Sequence, residues 1–205
     1  MLKNILFDFD GVLIDSMPIR NDGFKVIFED FNIHHVQELS EYHNKNGGLS
    51  RYHKIQYFFN NILKREISKE KVDEYASSFS KIMKKKLTNK DLLIDVSIDF
   101  VKKNFNTYNF HIVSGSDQEE LIFLCKELSI SKYFKSIHGS PTTKSTLIKN
   151  LITKNNYQNS STALIGDSIN DYDAAKLNNI SFYGFNNELL RPISNLYIEN
   201  FSEIE

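Results

Sequence analysis

Hydrophobic positions along the chain change period twice. Residues 4–7, Asn-Ile-Leu-Phe, are a short apolar run of the length of a buried strand, closed by a turn at Gly11. From Ser16 to about residue 90 the period is helical. Asp15-Ser16 reads as the N-cap of a first helix with Pro18 in its first turn. Ile27, Phe28 and Phe31 form its apolar edge, and Gly23 weakens it by roughly 1 kcal/mol relative to Ala. A polar stretch over 41–45 leads into Asn46-Gly47-Gly48-Leu49-Ser50-Arg51. Ser50 caps a helix whose Ile55, Phe58, Phe59, Ile62 and Leu63 follow i, i+3, i+4, i+7, i+8 spacing. Ser68 starts another, with Val72, Tyr75, Ala76, Phe79, Ile82 and Met83 on one face. These stripes can bury one another, so 16–88 reads as a compact helical unit.

From about residue 95 helices and short apolar runs alternate. The pattern predicts a helix around Ile98, Phe100 and Val101, strands over 110–113, 134–138, 162–165 and 180–183, and a weak last strand over 196–198. Between them fall helices over 117–128, from Lys144 through Ile152, and over 171–177. Such alternation implies an α/β fold with a parallel sheet covered on both faces. Gly11, Gly115, Gly139, Gly166 and Gly184 each stand at or just past a strand end, on one rim of that sheet. Open α/β sheets bind ligands along that rim.

Composition narrows the classes. The 205 residues fit one domain with a large insertion or two small domains, and 40% hydrophobic with 13% aromatic residues suffices for a packed core. A net charge of −1 with no dominant basic face argues against nucleic acid, the run Lys84-Lys85-Lys86 reading as a solvated helix end. The single cysteine, Cys125, excludes a disulfide framework and reads as a core residue. No signal-peptide pattern and no membrane-length apolar run are present, so a soluble cytoplasmic protein is expected, with a monomer slightly favoured.

Polar residues cluster where the predicted strands end. Asp8 and Asp10 leave the first strand two apart, so they share a face. Asp8 lies between Phe7 and Phe9, and a carboxylate among apolar neighbours needs positive compensation. Asp167 and Asp171 follow the strand over 162–165, Ser114 follows the strand over 110–113, and Lys144 opens a helix, where the dipole favours anions rather than cations. The four aspartates supply oxygen ligands for a hard cation such as Mg²⁺, while Ser114, Lys144 and backbone N–H groups suit an anion. Zinc would want histidine or cysteine, and the six histidines have no ligand spacing; His34-His35 reads as surface.

In these stretches the chain resembles the haloacid dehalogenase-like (HAD) hydrolase superfamily. Asp8-Phe9-Asp10-Gly11-Val12 is similar to its first motif, Ser114 to its second, Lys144 to its third, and Gly166-Asp167-Ser168-Ile169-Asn170-Asp171 to its fourth. The resemblance implies a Rossmann-like core, residues 1–15 and 89–205, with the first strand central, and an α-helical cap inserted at 16–88. It implies Asp8 as nucleophile, forming an aspartyl-phosphate, and Asp10 as acid and then base. Asp8, the Asp10 carbonyl and Asp167 would ligate Mg²⁺, with Asp171 holding a metal-bound water or orienting Lys144. Ser114, Lys144 and the N–H groups near Phe9 and Gly115 would hold the phosphoryl oxygens.

Within the superfamily, a dehalogenase needs only the first aspartate, so Asp10 and the acidic fourth motif favour phosphoryl transfer. The expectation is a Mg²⁺-dependent phosphatase of a small phosphorylated metabolite, a sugar phosphate or phosphoglycolate. A sugar-phosphate mutase is the rival, because Gly48-Leu49-Ser50-Arg51 resembles a cap motif of β-phosphoglucomutase-like proteins. Those mutases carry a histidine shortly after the first motif, where this chain has Arg20. Arg20 and Arg51 could bind a distal anionic group, or lie on the surface of the cap helices. A non-enzymatic aspartate phosphoacceptor of the receiver type is a remote alternative, since it has no helical cap after its first strand.

Overall fold

Ile5 and Phe7 point to one face of a sheet and Leu6 to the other, and all three are fully buried. A strand covered on both sides in this way belongs to the middle of a parallel sheet. The computed structural model describes residues 1–204. Its strands are β1 (Asn4–Phe7), β2 (Asn109–Asp117), β3 (Ser136–Ser140), β4 (Thr162–Gly166), β5 (Ser181–Gly184) and β6 (Leu196–Tyr197). They form one sheet in the order β3-β2-β1-β4-β5-β6, every pair parallel, with the first strand inside as the sequence implied.

The helices are α1 (Met17–Ile27), α2 (Ile33–Lys45), α3 (Arg51–Tyr57), α4 (Lys69–Lys86), α5 (Asp95–Asn104), α6 (Gln118–Glu127), α7 (Lys144–Asn155) and α8 (Ile169–Leu177). Leu6, Val113, Leu164 and Phe182 meet Ile148 and Leu151 of α7 and Ala174 and Ala175 of α8 on one face of the sheet. Ile5, Phe7, Ile112 and Ile165 face Ile98 and Val101 of α5 and Leu121 and Leu124 of α6 on the other. That second cluster continues into α1–α4, the segment between β1 and α5. The chain leaves and re-enters the sheet at one place: Asp15 N–H donates to the Leu92 carbonyl at 2.8 Å and Ile94 N–H to Leu13 at 3.0 Å. Cys125 is fully buried in the core.

Four local expectations are corrected. Residues 41–45 are not a polar lead-in but the end of α2, because Val36, Leu39 and His43 give that helix a buried stripe its polar composition hides. The helix capped by Ser50 stops at Tyr57 and continues as a wider π-helical turn over Phe58–Ile62, where Phe28 stacks on Phe58 with ring centres 4.2 Å apart. The strand placed at 134–138 begins two residues later, since Phe134 turns its ring onto Phe7 instead of pairing. Gly23 is buried where a Cβ would lie 2.5 Å from Met83 and 2.9 Å from Phe79, so its lack of a side chain lets α1 and α4 touch.

Candidate active site

Acidic side chains converge beyond the carboxyl ends of β1 and β4. One carboxylate oxygen each from Asp8, Asp167 and Asp171 lies within 4.8 Å of the others. The turn after β1 makes this approach possible. Gly11 has φ +75°, and a Cβ there would collide with the Asp167 carboxylate. Asp171 sits in the first turn of α8, where the Ser168 N–H (3.1 Å) and hydroxyl (2.6 Å) both donate to its Oδ2.

Lys144, the first residue of α7, is buried and finds the negative partners its position demands. Its Nζ lies 3.0 Å from Asp8 Oδ1 and also pairs with Asp171. Burial alone would lower its pKa, but Asp171 and Asp8 outweigh burial and hold it above the ordinary lysine range. One ammonium does not balance three carboxylates. Burial first, then Asp171, pushes the Asp8 pKa up to about 7. Burial and Asp8 together raise that of Asp167 well above the carboxylate range, and Lys144 forms no ion pair with it.

Asp10, two residues on, is treated differently. Its carboxylate accepts from the Ser16 hydroxyl, from Arg20 Nε at 2.6 Å and from the Ser116 hydroxyl at 2.6 Å. Burial opposes its charge, yet Arg20 and these hydroxyls overcome burial and lower its pKa. Ser16 stands at the N-cap position of α1 without capping it; its hydroxyl serves Asp10 instead. Of Asp10, only the main-chain carbonyl remains as the metal ligand that the resemblance implied; the carboxylate is outside the group formed by Asp8, Asp167 and Asp171.

Ser114 is buried two residues past Ile112, which pairs with Phe7, and its hydroxyl accepts from the Ser116 N–H at 3.1 Å. The Phe9 N–H donates to Asp8 Oδ1 at 2.7 Å. Gly115 lies so close to the Gly48 carbonyl that any Cβ would strike it. The loop before α3 is thus pressed onto the strand end. A groove of about 260 Å³ between that loop and α7 and α8 reaches Lys144 and Gly115.

Arg20 and Arg51 are not surface arginines. They are 5% and 4% exposed, and both bond to Glu120 of α6, which is fully buried. Arg20 Nη1 lies 3.2 Å from Glu120 Oε1 and Arg20 Nη2 donates to Ser116 at 2.8 Å, while Arg51 Nη1 lies 2.5 Å from Glu120 Oε2. The sequence reading missed Glu120 and Ser116, which bond to Arg20, Arg51 and Asp10, and His43 and Lys54, which line a small space beside Asp10. Ser116 was open to the alternation rule, being two residues from Ser114 on the same strand. Lys54 was open to helical spacing, three residues from Arg51. Glu120 and His43 gave no signal, because each looks like an ordinary polar position on its helix.

The sequence profile described as haloacid dehalogenase-like hydrolase matches residues 5–185. The chain belongs to that family. No curated protein matches it by sequence. Among solved structures it is similar to β-phosphoglucomutase from Clostridium difficile (14% identity, 100% of this chain and 94% of that one, TM-score 0.80). It is also similar to a predicted phosphoglycolate phosphatase from Haemophilus somnus (15% identity, 99% and 96%, TM-score 0.74). A third is the putative HAD-hydrolase YfnB from Bacillus subtilis, bound to magnesium and described as showing interdomain movement (15% identity, 99% and 96%, TM-score 0.71). At these identities the likeness is one of fold. No helix among the described residues is long and apolar enough to cross a membrane.

Proposed function

We propose that the chain is a Mg²⁺-dependent phosphatase of a small phosphorylated metabolite, working through an aspartyl-phosphate on Asp8. The observation that carries this reading is the separation of two carboxylates two residues apart. Asp8 faces Lys144 and a crowd of carboxylates, whereas Asp10 faces Arg20 and two hydroxyls. Environments that push two acids apart in pKa assign them different tasks.

The donor set fits a hard divalent cation. Asp8 and Asp167 offer carboxylate oxygens, the Asp10 carbonyl is a third candidate, and Asp171 would hold the surrounding water. The raised pKa values of Asp8 and Asp167 mark negative charge that Lys144 leaves unbalanced. Bound there, Mg²⁺ would neutralise that charge and draw electron density from a phosphoryl oxygen.

Asp8 attacks phosphorus in line, and the Lys144 ammonium with the Ser114 hydroxyl and the Gly115 N–H steadies the phosphoryl oxygens. In this geometry Asp10 is ionised, the form that takes a proton from the water hydrolysing the aspartyl-phosphate. Donation to the leaving oxygen in the first step requires Asp10 to gain a proton and loosen one of its three donors. Residues 16–88 act as a cap that opens for exchange and closes against bulk water. The test is phosphate release from a panel of sugar phosphates and phosphoglycolate with Mg²⁺, for wild type and Asp8→Asn. We expect turnover that disappears in the variant and with chelator. Isomerisation of a hexose 1-phosphate without phosphate release would assign a mutase instead, and turnover surviving in Asp8→Asn would remove Asp8 as nucleophile.

A further inference from the structure

The loop that follows β5 reaches back to two turns of the site at once. Strands β4 and β5 pair as far as Gly166 and Gly184, and the Phe185 N–H still donates to the Gly166 carbonyl at 3.0 Å. Asn186 then enters the left-handed region at φ +55°, which asparagine tolerates, and turns the main chain off the ladder. Among the described residues no main-chain N–H reaches the next acceptor on the β4 side, the Asp167 carbonyl. A side chain takes over, for Asn187 Nδ2 donates to that carbonyl at 2.8 Å. Asn187 Oδ1 accepts from the Leu189 N–H at 3.2 Å and so caps the 3₁₀ turn over Glu188–Ile193. One residue earlier, Asn186 Nδ2 donates to the Gly11 carbonyl at 3.2 Å. Phe185 and Leu190 are buried on either side of the pair, Phe185 against the Phe201 ring at 5.1 Å, so the loop is anchored at both ends.

Asp167 needs this support more than its neighbours do. Asp8 accepts from the Phe9 N–H and pairs with Lys144, and Asp171 accepts twice from Ser168 and also pairs with Lys144. The Asp167 carboxylate receives no such donor among the described residues. Crowding by like charge therefore falls on the one carboxylate that is free to swing away. Its place is set through the main chain, by the Asn187 bond to its carbonyl and by the bare Gly11 Cα against its carboxylate. The Asp10 carbonyl is placed in the same manner: the N–H of its peptide, that of Gly11, donates to Ile14 at 2.8 Å, and Asn186 holds the peptide that follows. Capping alone explains Asn187 Oδ1. It explains neither amide nitrogen, because Gly11 and Asp167 lie outside the capped turn.

We infer that Asn187, aided by Asn186, is a positioning residue for the divalent cation. The two amides fix the turn after β1 against the turn after β4, and so hold the Asp10 carbonyl and the Asp167 carboxylate in place before the metal arrives. Support of this kind keeps a ligand set from relaxing outward under its own repulsion. The inference rests on the Mg²⁺ site of the reading above and adds to it a loop that lies outside the four motifs.

The test measures metal binding rather than turnover. Mn²⁺, which suits the same oxygen donors, is the probe; the electron paramagnetic resonance signal of the free ion reports the bound fraction, and Mg²⁺ is then titrated in competition. Wild type is compared with Asp167→Asn, Asn187→Ala, Asn187→Ser and Asn186→Gly, and each is also melted in chelator. Serine caps about as well as asparagine but is too short to reach the Asp167 carbonyl, so Asn187→Ser should melt above Asn187→Ala. Metal affinity should nevertheless fall by about 10-fold in both, the lower end of what lost support around a ligand costs. Asn186→Gly keeps the left-handed turn and removes only the longer bond, and a loss of about 3-fold is expected. Affinity that recovers in Asn187→Ser together with the melting temperature, or wild-type affinity in Asn187→Ala, overturns the inference, since Asn187 would then serve the cap alone. No Mn²⁺ binding by wild type, or equal binding by Asp167→Asn, would instead sink the metal reading and take the inference with it. A loss in Asp167→Asn without one in Asn187→Ala removes the brace and leaves the metal site standing.

Discussion

At the scale of single residues, the site is a contrast between Asp8 and Asp10, and the contrast sets a pH dependence. Asp8 titrates at about 7 in the folded protein against an ordinary 3.8, and Asp167 is raised as well. Groups with raised folded-state values stabilise fully below the unfolded value, and that contribution is lost as pH rises through the folded one. Metal-free protein should therefore lose stability from this site between about pH 4 and 7. A divalent cation takes over the compensation only once the carboxylates are ionised. Thermal melts with Mg²⁺ and with chelator should differ most near pH 8 and least near pH 5. A Mg²⁺ effect of the same size at both would place the cation elsewhere. The sequence exposed Asp8, Asp10, Asp167, Asp171, Ser114 and Lys144 because strand ends in a parallel sheet share one rim. It did not reveal what each carboxylate meets. Arg20 and Ser116 reach Asp10 from 10 and 106 residues away, and no local pattern encodes such a meeting.

Among the elements, those with a clean period were read correctly and those whose packing overrides propensity were not. Strands β1, β2 and β4 stood out because both faces are apolar. Helix α2 did not, since its buried stripe includes a histidine. Gly23 shows the same conflict within one residue. Helix propensity alone makes Gly23→Ala favourable by about 1 kcal/mol. The α1–α4 contact opposes this, because the new methyl would press on Met83 and on the Phe79 ring, which itself packs on Phe24 at 4.5 Å and under Arg51 at 4.7 Å. Overpacking of that kind costs roughly 1–3 kcal/mol. The methionine end can move but the ring cannot move far, so we expect Gly23→Ala to be destabilised by about 1 kcal/mol net. Urea denaturation would register this as a lower midpoint at unchanged slope. A raised midpoint would mean that Met83 and Phe79 give way freely and that propensity governs the position.

For the whole molecule, residues 16–88 meet the sheet through an apolar core and, nearest the site, through a polar seam. Phe24, Phe28, Phe58 and Phe79 supply that segment with an aromatic core, and paired connectors at Asp15 and Ile94 join it to the sheet. The seam nearest the site is instead polar: Arg20 and Arg51 bond to Glu120, and Tyr52 donates to Asp117 at 2.8 Å. A polar seam of this kind parts at lower cost than an apolar one. Glu120 is the shared point, accepting one arginine on each oxygen. Its removal leaves two buried guanidinium groups short of a partner, a loss of about 3–5 kcal/mol in a closed interior. Opening the seam lets water solvate both arginines, so the closed form should bear this loss more than the fold does. Glu120→Ala should thus have a larger radius of gyration in small-angle scattering, contracting when a phosphate ester and Mg²⁺ are added. Its KM should rise more than its kcat falls, because substrate binding must now supply the closing energy. An unchanged scattering profile with a thermal midpoint several degrees lower would show the opposite, that Arg20, Glu120 and Arg51 hold the fold together and the seam does not open.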